Sequence, residues 1–370
     1  MNPKEFSDWI PLHFRFADNS ELTCNVQLLD SVIKDLDIES DRPDFRVKCP
    51  MEELYKPSAL RFTNNTFPYL SSWFRYAQIL TIEKHTKYPT APHTELLRTV
   101  IFELLRIAEY LFCMATFSLN IGFNKVLTEL LLHYESIQKF FGLTFKNIAP
   151  DEFISGTRGL SELPNGFVEQ VMMISKRMDL SFQKLFPTLL NNRIVRSRCH
   201  RIDRRLINQS EHLSSGPNRR ASGSDYDCRY DFPYSSYEWL FFDRVRVPNL
   251  EKRTGSGWQR LKVRCNEIFL SINLIRQAVD RLVYQTDSPA VRIVSSVLAK
   301  GHSRIIIETP WSALTCQMNC PGGREPCEFT LTNPLHEIRL FLRRTSIGLD
   351  LNDLPVLIAT LGLRSNMEPL

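Results

Sequence analysis

At 370 residues, with 43% hydrophobic and 24% charged side chains, the chain can bury a substantial core and has the make-up of a folded globular protein, not of a disordered or fibrous one. Forty-six Lys and Arg against 41 Asp and Glu leave a formal charge of +5, too small an excess to imply a nucleic-acid partner by itself. The nine cysteines, odd in number and without a C-x-x-C pair, speak against a disulfide framework and for reduced thiols in a cytosol- or matrix-like compartment.

Short strands are expected at Pro11–Phe16, Leu22–Leu29 and Phe45–Lys48, divided by Asp, Asn, Ser and Pro turns. Helical periodicity begins near Thr94. Leu97, Ile101, Leu104, Ala108, Leu111 and Ala115 recur at steps of three and four, and Leu105 and Phe112 widen the stripe. A helix apolar nearly all round belongs inside a bundle. A second helix is expected over 125–141, stopped by Gly142, and a third over Phe167–Phe186, between Pro164 and Pro187. No uncharged apolar run is long enough to span a bilayer; the longest is Tyr110–Phe123. The N-terminal MNPKEFSDWI reads neither as a signal peptide nor as a presequence, so targeting is not legible.

The run Arg193–Arg205 concentrates basic residues. A solvated or subunit-facing surface and a grip on nucleic acid or acidic lipid both fit such a run, but it has no interleaved aromatics on which bases would stack. Leu261, Cys265, Ile268, Ile272, Ile275, Val279 and Leu282 then alternate steps of four and three, the seam of a long helix over 259–283 that packs on another helix. Strands are expected at Ser303–Pro310 and Cys327–Thr332, and a helix at Leu335–Arg344. The spacing of Cys316, Cys320 and Cys327 fits no standard ligand pattern, and the eight histidines are dispersed, so no metal site is expected.

The stretch 216–247 has no helical period, yet it cannot be a solvated linker. Tyr226, Tyr230, Phe232, Tyr234, Tyr237 and Trp239 carry too much apolar area to leave in water. Asp225, Asp227, Arg229 and Asp231 interleave with them, so burial requires those charges to be paired, with Arg220 and Arg229 the obvious cations. Leu240–Val247 alternates apolar and charged positions as a half-buried strand would. The expectation is a long ordered loop laced with ion pairs, of the kind that is usually functional or interfacial.

Within it, Arg220-Ala-Ser-Gly-x-Asp-Tyr-Asp-x-Arg-x-Asp-x-Pro-Tyr-Ser-x-Tyr237 resembles the signature loop of the 49 kDa subunit of respiratory complex I, a relative of the nickel–iron hydrogenase large subunit. Glu103-Leu-Leu-Arg106, Leu163-Pro164-x-Gly166-Phe167 and Asn192-Arg193-Ile194 are similar to other segments of that family, and the resemblance covers roughly 12–361. It implies an α+β fold: an N-terminal β unit over 1–60, a buried multi-helix bundle over 61–285 carrying the loop, and a C-terminal β/α portion over 286–370 packed on the bundle. It implies a subunit of NADH:ubiquinone oxidoreductase that forms the quinone cavity with a cluster-bearing neighbour and other peripheral-arm subunits. Ubiquinone is then the substrate, and this chain holds no cluster of its own. No nucleic acid is expected. The implied place is peripheral to a membrane: the matrix side of the mitochondrial inner membrane or the cytoplasmic face of a bacterial membrane.

The same resemblance assigns quinone contacts to Tyr69, Phe112, Thr116 and Asn120, with Tyr69 as the catalytic hydroxyl. It also exposes departures. Residues 15–20 lack the family's quinone-facing loop histidine, and Asn120 stands where its carboxylate partner would be. Cys49 and Lys146 replace a cluster-adjacent arginine and histidine, and Ser155–Arg158 replaces a tighter turn. A quinone needs two protons at its carbonyl oxygens, and without the imidazole–carboxylate pair one of two positioned donors is lost. Two functions therefore stand side by side: an active quinone-site subunit, and a paralogue that keeps fold and contacts with impaired turnover. A basic nucleic-acid-binding module centred on Arg193–Arg205 is a distant third.

Overall fold

The structure, a computed structural model, describes residues 8–38, 42–50, 54, 68–87, 89–144, 153–155, 163–203, 213–244, 255–285 and 298–364. Its fold is α+β. Strands β1 (Ile10–Arg15), β2 (Glu21–Leu29) and β3 (Val32–Ile38) form an antiparallel sheet in sequence order. Cys24, Val26, Ile33 and Leu36 face inward from it. The fourth strand, β4 (Asp44–Cys49), leaves that sheet and pairs instead with β7 (Cys327–Thr332), opposing Cys49 to Cys327. With β5 (Gly301–Glu308) and β6 (Ala313–Cys320) it completes an antiparallel sheet of order β4-β7-β6-β5. The C-terminal sheet thus takes its edge strand from the N-terminal part of the chain.

The helices are α1 (Pro68–Thr86), α2 (Pro92–Asn120), α3 (Asn124–Thr144), α4 (Phe167–Leu190), α5 (Arg193–Asp203), the short α6 (Gly216–Ala221) and α7 (Cys228–Asp231), α8 (Gly257–Leu282), α9 (His336–Ser346) and α10 (Leu354–Leu361). Helix α2 is the axis. It packs on α3, α8 and α10, while α4 packs on α3 and α8. These helices form one bundle, as their stripes require. The seam Ile268, Ile272, Ile275 and Val279 of α8 is at most 1% exposed. A reciprocal cap starts α8: Ser256 Oγ accepts from Gln259 N and Gln259 Oε1 accepts from Ser256 N.

Several elements escape the sequence patterns. Helix α1 buries Trp73, Phe74, Tyr76, Ala77, Ile79 and Ile82, but Arg75, Gln78, Thr81 and Glu83 are buried as well, so no polar face marks its period. Strands β3 and β6 also have no counterpart among the expected strands. Two expectations are overturned: α4 runs through Pro187 to Leu190, and Leu240–Arg244 is not a strand. Among the described residues no neighbouring strand pairs with it. The Gln277 side chain supplies the pairing, its Oε1 accepting from Phe241 N at 2.9 Å and its Nε2 donating to Phe241 O at 2.7 Å. The end of that stretch, 245–247, lies outside the described residues.

All nine cysteines are free thiols, and all are buried. Burial pushes the thiols of Cys24, Cys316 and Cys327 up to about 12, so they stay protonated and behave as small core hydrophobes. Among the described residues no cluster of three His, Cys, Asp or Glu is placed to hold a metal ion, and no helix is long and apolar enough to cross a membrane.

Candidate functional site

Two polar assemblies lie along α2. The first is built by the loop over 216–244. At Gly216 the backbone takes φ +89°, and any Cβ there would sit 2.2 Å from the Trp311 carbonyl oxygen. Only glycine lets the loop enter this close to the β5–β6 turn. From there α6 carries Arg220 inward. Its Nε donates to Glu267 at 2.7 Å and its Nη1 to Glu308 at 2.7 Å. Asp227 caps α7, accepting from Arg229 N at 2.9 Å. It also holds the Arg229 guanidinium through two parallel bonds of 3.0 and 2.7 Å. Arg229 Nη1 reaches across to both oxygens of Glu103 on α2, at 3.2 and 3.3 Å. Arg106, one turn along, donates to Glu103 at 3.3 Å and to the Glu308 carbonyl at 2.6 Å.

These seven side chains are sealed from solvent, each charged pair having 0% side-chain exposure. Three guanidiniums face four carboxylates, and neutral donors answer the surplus charge. Tyr110 donates to Glu267, Tyr237 to Glu103 at 2.5 Å, and Ser271 to Glu103 at 2.5 Å. Burial alone would raise the Glu103 and Asp227 carboxyls, yet Arg106 and Arg229 beside Glu103, and Arg229 and Arg220 beside Asp227, hold both below the ordinary carboxylate range. Burial and the neighbouring Glu267 and Glu103 carboxylates drive the Tyr110 and Tyr237 phenols upward. The geometry of the assembly is that of a brace.

The expected pairing of the loop charges is found. Asp231 and Asp225 meet Arg244, at 2.5 and 3.7 Å, and Arg220 and Arg229 are the central cations. The acids that receive them, Glu103, Glu267 and Glu308, are not singled out as partners by the sequence reading. A signal is present on α8. Arg260, Arg264, Glu267 and Ser271 recur at steps of four, three and four, a polar stripe beside the apolar seam. All four are buried. Arg264 closes the C-terminus of α10, donating to Thr360 O at 2.8 Å and Leu361 O at 2.9 Å, where a cation complements the helix dipole. Gly362 makes room: a Cβ there would lie 2.9 Å from Arg264 Nη2.

The second assembly sits farther along α2, where the family's quinone contacts are expected. Arg364 grips Glu109 bidentately at 2.7 and 3.0 Å and reaches Asp18 at 2.9 Å. Its guanidinium carbon lies 3.2 Å from the Phe112 ring centroid. Phe16 and Tyr134 flank the same ring at 6.1 and 6.0 Å. Thr116 is buried, and its Oγ1 accepts from Ala17 N at 3.4 Å. Asn120 is partly exposed and donates to Pro355 O at 3.3 Å. The 15–20 loop therefore folds down onto Phe112 and Thr116, bringing Asp18, not a histidine, to their edge. Asp18 keeps 33% of its side chain exposed, so this assembly opens to solvent at one lip.

Tyr69 is the second residue of α1; its side chain lies outside the described residues, as do Lys146 and 156–158. Cys49 is wholly buried at the end of β4. The basic run is largely engaged within the chain. Arg198 and Arg201 pair with Asp353 at 3.3 and 3.2 Å, and Arg196 lies over the Trp258 ring. Its last two arginines, 204 and 205, fall outside the described residues.

The family model described as "Respiratory-chain NADH dehydrogenase, 49 Kd subunit" matches residues 153–305, a span that includes the loop and α8. Among curated proteins the chain is 28% identical over 251 residues to an NADH-quinone oxidoreductase subunit of Bacillus mycoides, covering 65% of this chain and 64% of that protein. It is 26% identical over 288 residues to an NADH-quinone oxidoreductase subunit of Solibacter usitatus, with 77% and 75% covered. It is 27% identical over 210 residues to an NADH-quinone oxidoreductase subunit of Opitutus terrae, with 55% and 47% covered. The matched stretch thus spans between about half and three quarters of those relatives. Over these stretches, and in the residues of its braced loop, the chain is similar to the 49 kDa subunit of respiratory-chain NADH dehydrogenase.

Proposed function

We propose that the chain takes the place of the 49 kDa subunit in an NADH:quinone oxidoreductase, peripheral to the membrane and bound to other subunits of that complex. It would form one wall of the quinone cavity, with electrons arriving from a cluster held by a neighbouring subunit. The observation that carries this reading is the family match over 153–305, which contains the loop whose charges are sealed against α2 and α8. Tyr69, Phe112, Thr116 and Asn120 are the residues proposed to face the head group. The Tyr69 hydroxyl would polarise one quinone carbonyl.

A second reading, a subunit that assembles but turns quinone over poorly, is favoured by the 15–20 loop. That loop covers Thr116 with the Ala17 backbone and presents Asp18, already paired with Arg364, where an imidazole–carboxylate couple would deliver the second proton. Losing one positioned general acid costs ~10²–10⁴-fold in rate.

One experiment separates the two readings. The chain replaces the ordinary subunit in the complex, and inhibitor-sensitive, quinone-dependent NADH oxidation is measured per assembled complex. Near-normal turnover supports the active subunit, and assembly with turnover reduced ~10²-fold or more supports the impaired one. Failure to assemble defeats both.

A further inference from the structure

The outer face of the C-terminal sheet carries a hollow that neither assembly on α2 uses. We propose that it is a binding site for a small organic oxyanion, a phosphate ester or a carboxylate, carrying an apolar body. The hollow measures about 480 Å³, within the usual range for a small-molecule site. Its floor is made by Arg304 and Ile306 of β5, Ala313 and Thr315 of β6 and Thr332 of β7. Arg219 and Tyr226 of the braced loop close one side, and Asn333, His336 and Glu337, where α9 begins, close the other.

Charge decides the ligand class. Two guanidiniums, Arg219 and Arg304, line one small volume in which Glu337 is the lining acid. Glu337 is already engaged, its Oε2 accepting from Ser214 N at 2.9 Å and Ser214 Oγ at 2.8 Å. Arg304 has no ion pair among the described residues: its backbone carbonyl accepts from Lys84, while its guanidinium remains available on the exposed face of β5. A planar guanidinium grips a carboxylate or phosphate through two parallel bonds. The apolar body has its own surface, since Ile306, Ala313, Pro43 and the Tyr226 ring line the same hollow.

The hollow is also firmly built. Arg219 sits on α6, one residue from the sealed Arg220, and donates to Leu213 O. Thr332 Oγ1 is held by Thr315 N at 2.8 Å. Asn333 is fixed at both ends, donating to Arg42 O at 2.8 Å and accepting from Leu335 N at 3.0 Å. A lining held this way need not be ordered at the moment of binding, which lowers the entropic cost.

The test is calorimetric titration of the full chain with phenyl phosphate, benzoate and inorganic phosphate. Saturable binding of phenyl phosphate or benzoate is expected, with inorganic phosphate at least ~10-fold weaker because it leaves the apolar wall unused. Whichever of the two aryl probes binds more tightly identifies the acid group. Arg304→Gln, at an exposed position, leaves the fold intact and is expected to weaken binding at least ~10-fold. Arg46→Gln, on β4 at the opposite edge of the same sheet and outside the hollow, leaves binding unchanged. No saturable binding of either aryl probe, equal binding of inorganic phosphate, or indifference to Arg304→Gln would each overturn the proposal.

Discussion

The two polar assemblies on α2 lie on successive turns of one helix and yet are built to different ends. The first, around Glu103 and Arg106, is closed: seven charged side chains with no solvent exposure, locked by Tyr110, Tyr237 and Ser271. The second, around Glu109, Phe112 and Thr116, has one sealed ion pair and one that opens to solvent through Asp18. Burying charge is costly unless every group is answered. In the closed cluster each charged side chain meets an opposite charge within the chain, and that pairing fixes where the long loop sits. The second assembly keeps a partly hydrated lip beside an aromatic ring, which is the kind of place where chemistry can still occur.

Breaking the closed assembly has the largest expected effect. Arg229→Ala strands Glu103 and Asp227 in the interior and is expected to cost about 3–5 kcal/mol in chemical denaturation. A loss below ~1 kcal/mol would mean that the loop does not brace the bundle. Tyr110→Phe removes a single donor to the buried Glu267 and is expected to cost about 1.5–3 kcal/mol by the same measurement.

Acid titration sharpens the contrast. The Glu103 and Asp227 carboxyls are held below their ordinary values, so their contribution is present at neutral pH and is lost as pH falls through their folded values. Glu95, in the first turn of the same helix, behaves oppositely. Burial, together with the Glu83 and Glu238 charges and against the pull of Arg98, pushes its carboxyl up to about 7. The folded chain then holds a proton that the unfolded chain releases near its ordinary 4.5, and stability declines as pH rises between those values. Glu95→Gln is expected to flatten a thermal-stability profile across that window while leaving the acid limb unchanged.

The smallest effect belongs to the open lip. Asp18→Asn is expected to cost no more than ~1 kcal/mol, because a partly exposed ion pair is screened by water. If it costs as much as Arg229→Ala, the second assembly is a brace like the first.

Much of this is legible in the sequence, for reasons that differ from element to element. Helices α2, α3, α4 and α8 declare themselves because each buries an apolar stripe against a neighbour, and the helical period writes that stripe into the chain. Helix α1 does not, because Arg75 and Glu83 are buried with its apolar residues and the period is erased. The loop is legible as buried and ion-paired, since aromatic area and charge density so interleaved leave no other solution. Its partners are not, because Glu308 lies 88 residues from Arg220 and Glu103 lies 126 from Arg229, and only packing brings them together. The alternation over 240–247 is legible and misleading: a strand needs a neighbour to hydrogen-bond with, and the fold supplies Gln277 instead. That residues 15–20 hold no histidine and that position 120 is Asn is read directly from the sequence. That Phe16 and Ala17 would cover Phe112 and Thr116, and that Arg364 would lie across the same ring, was decided by tertiary structure alone, because those contacts join the first and last described segments of the chain to α2 and no local pattern encodes them.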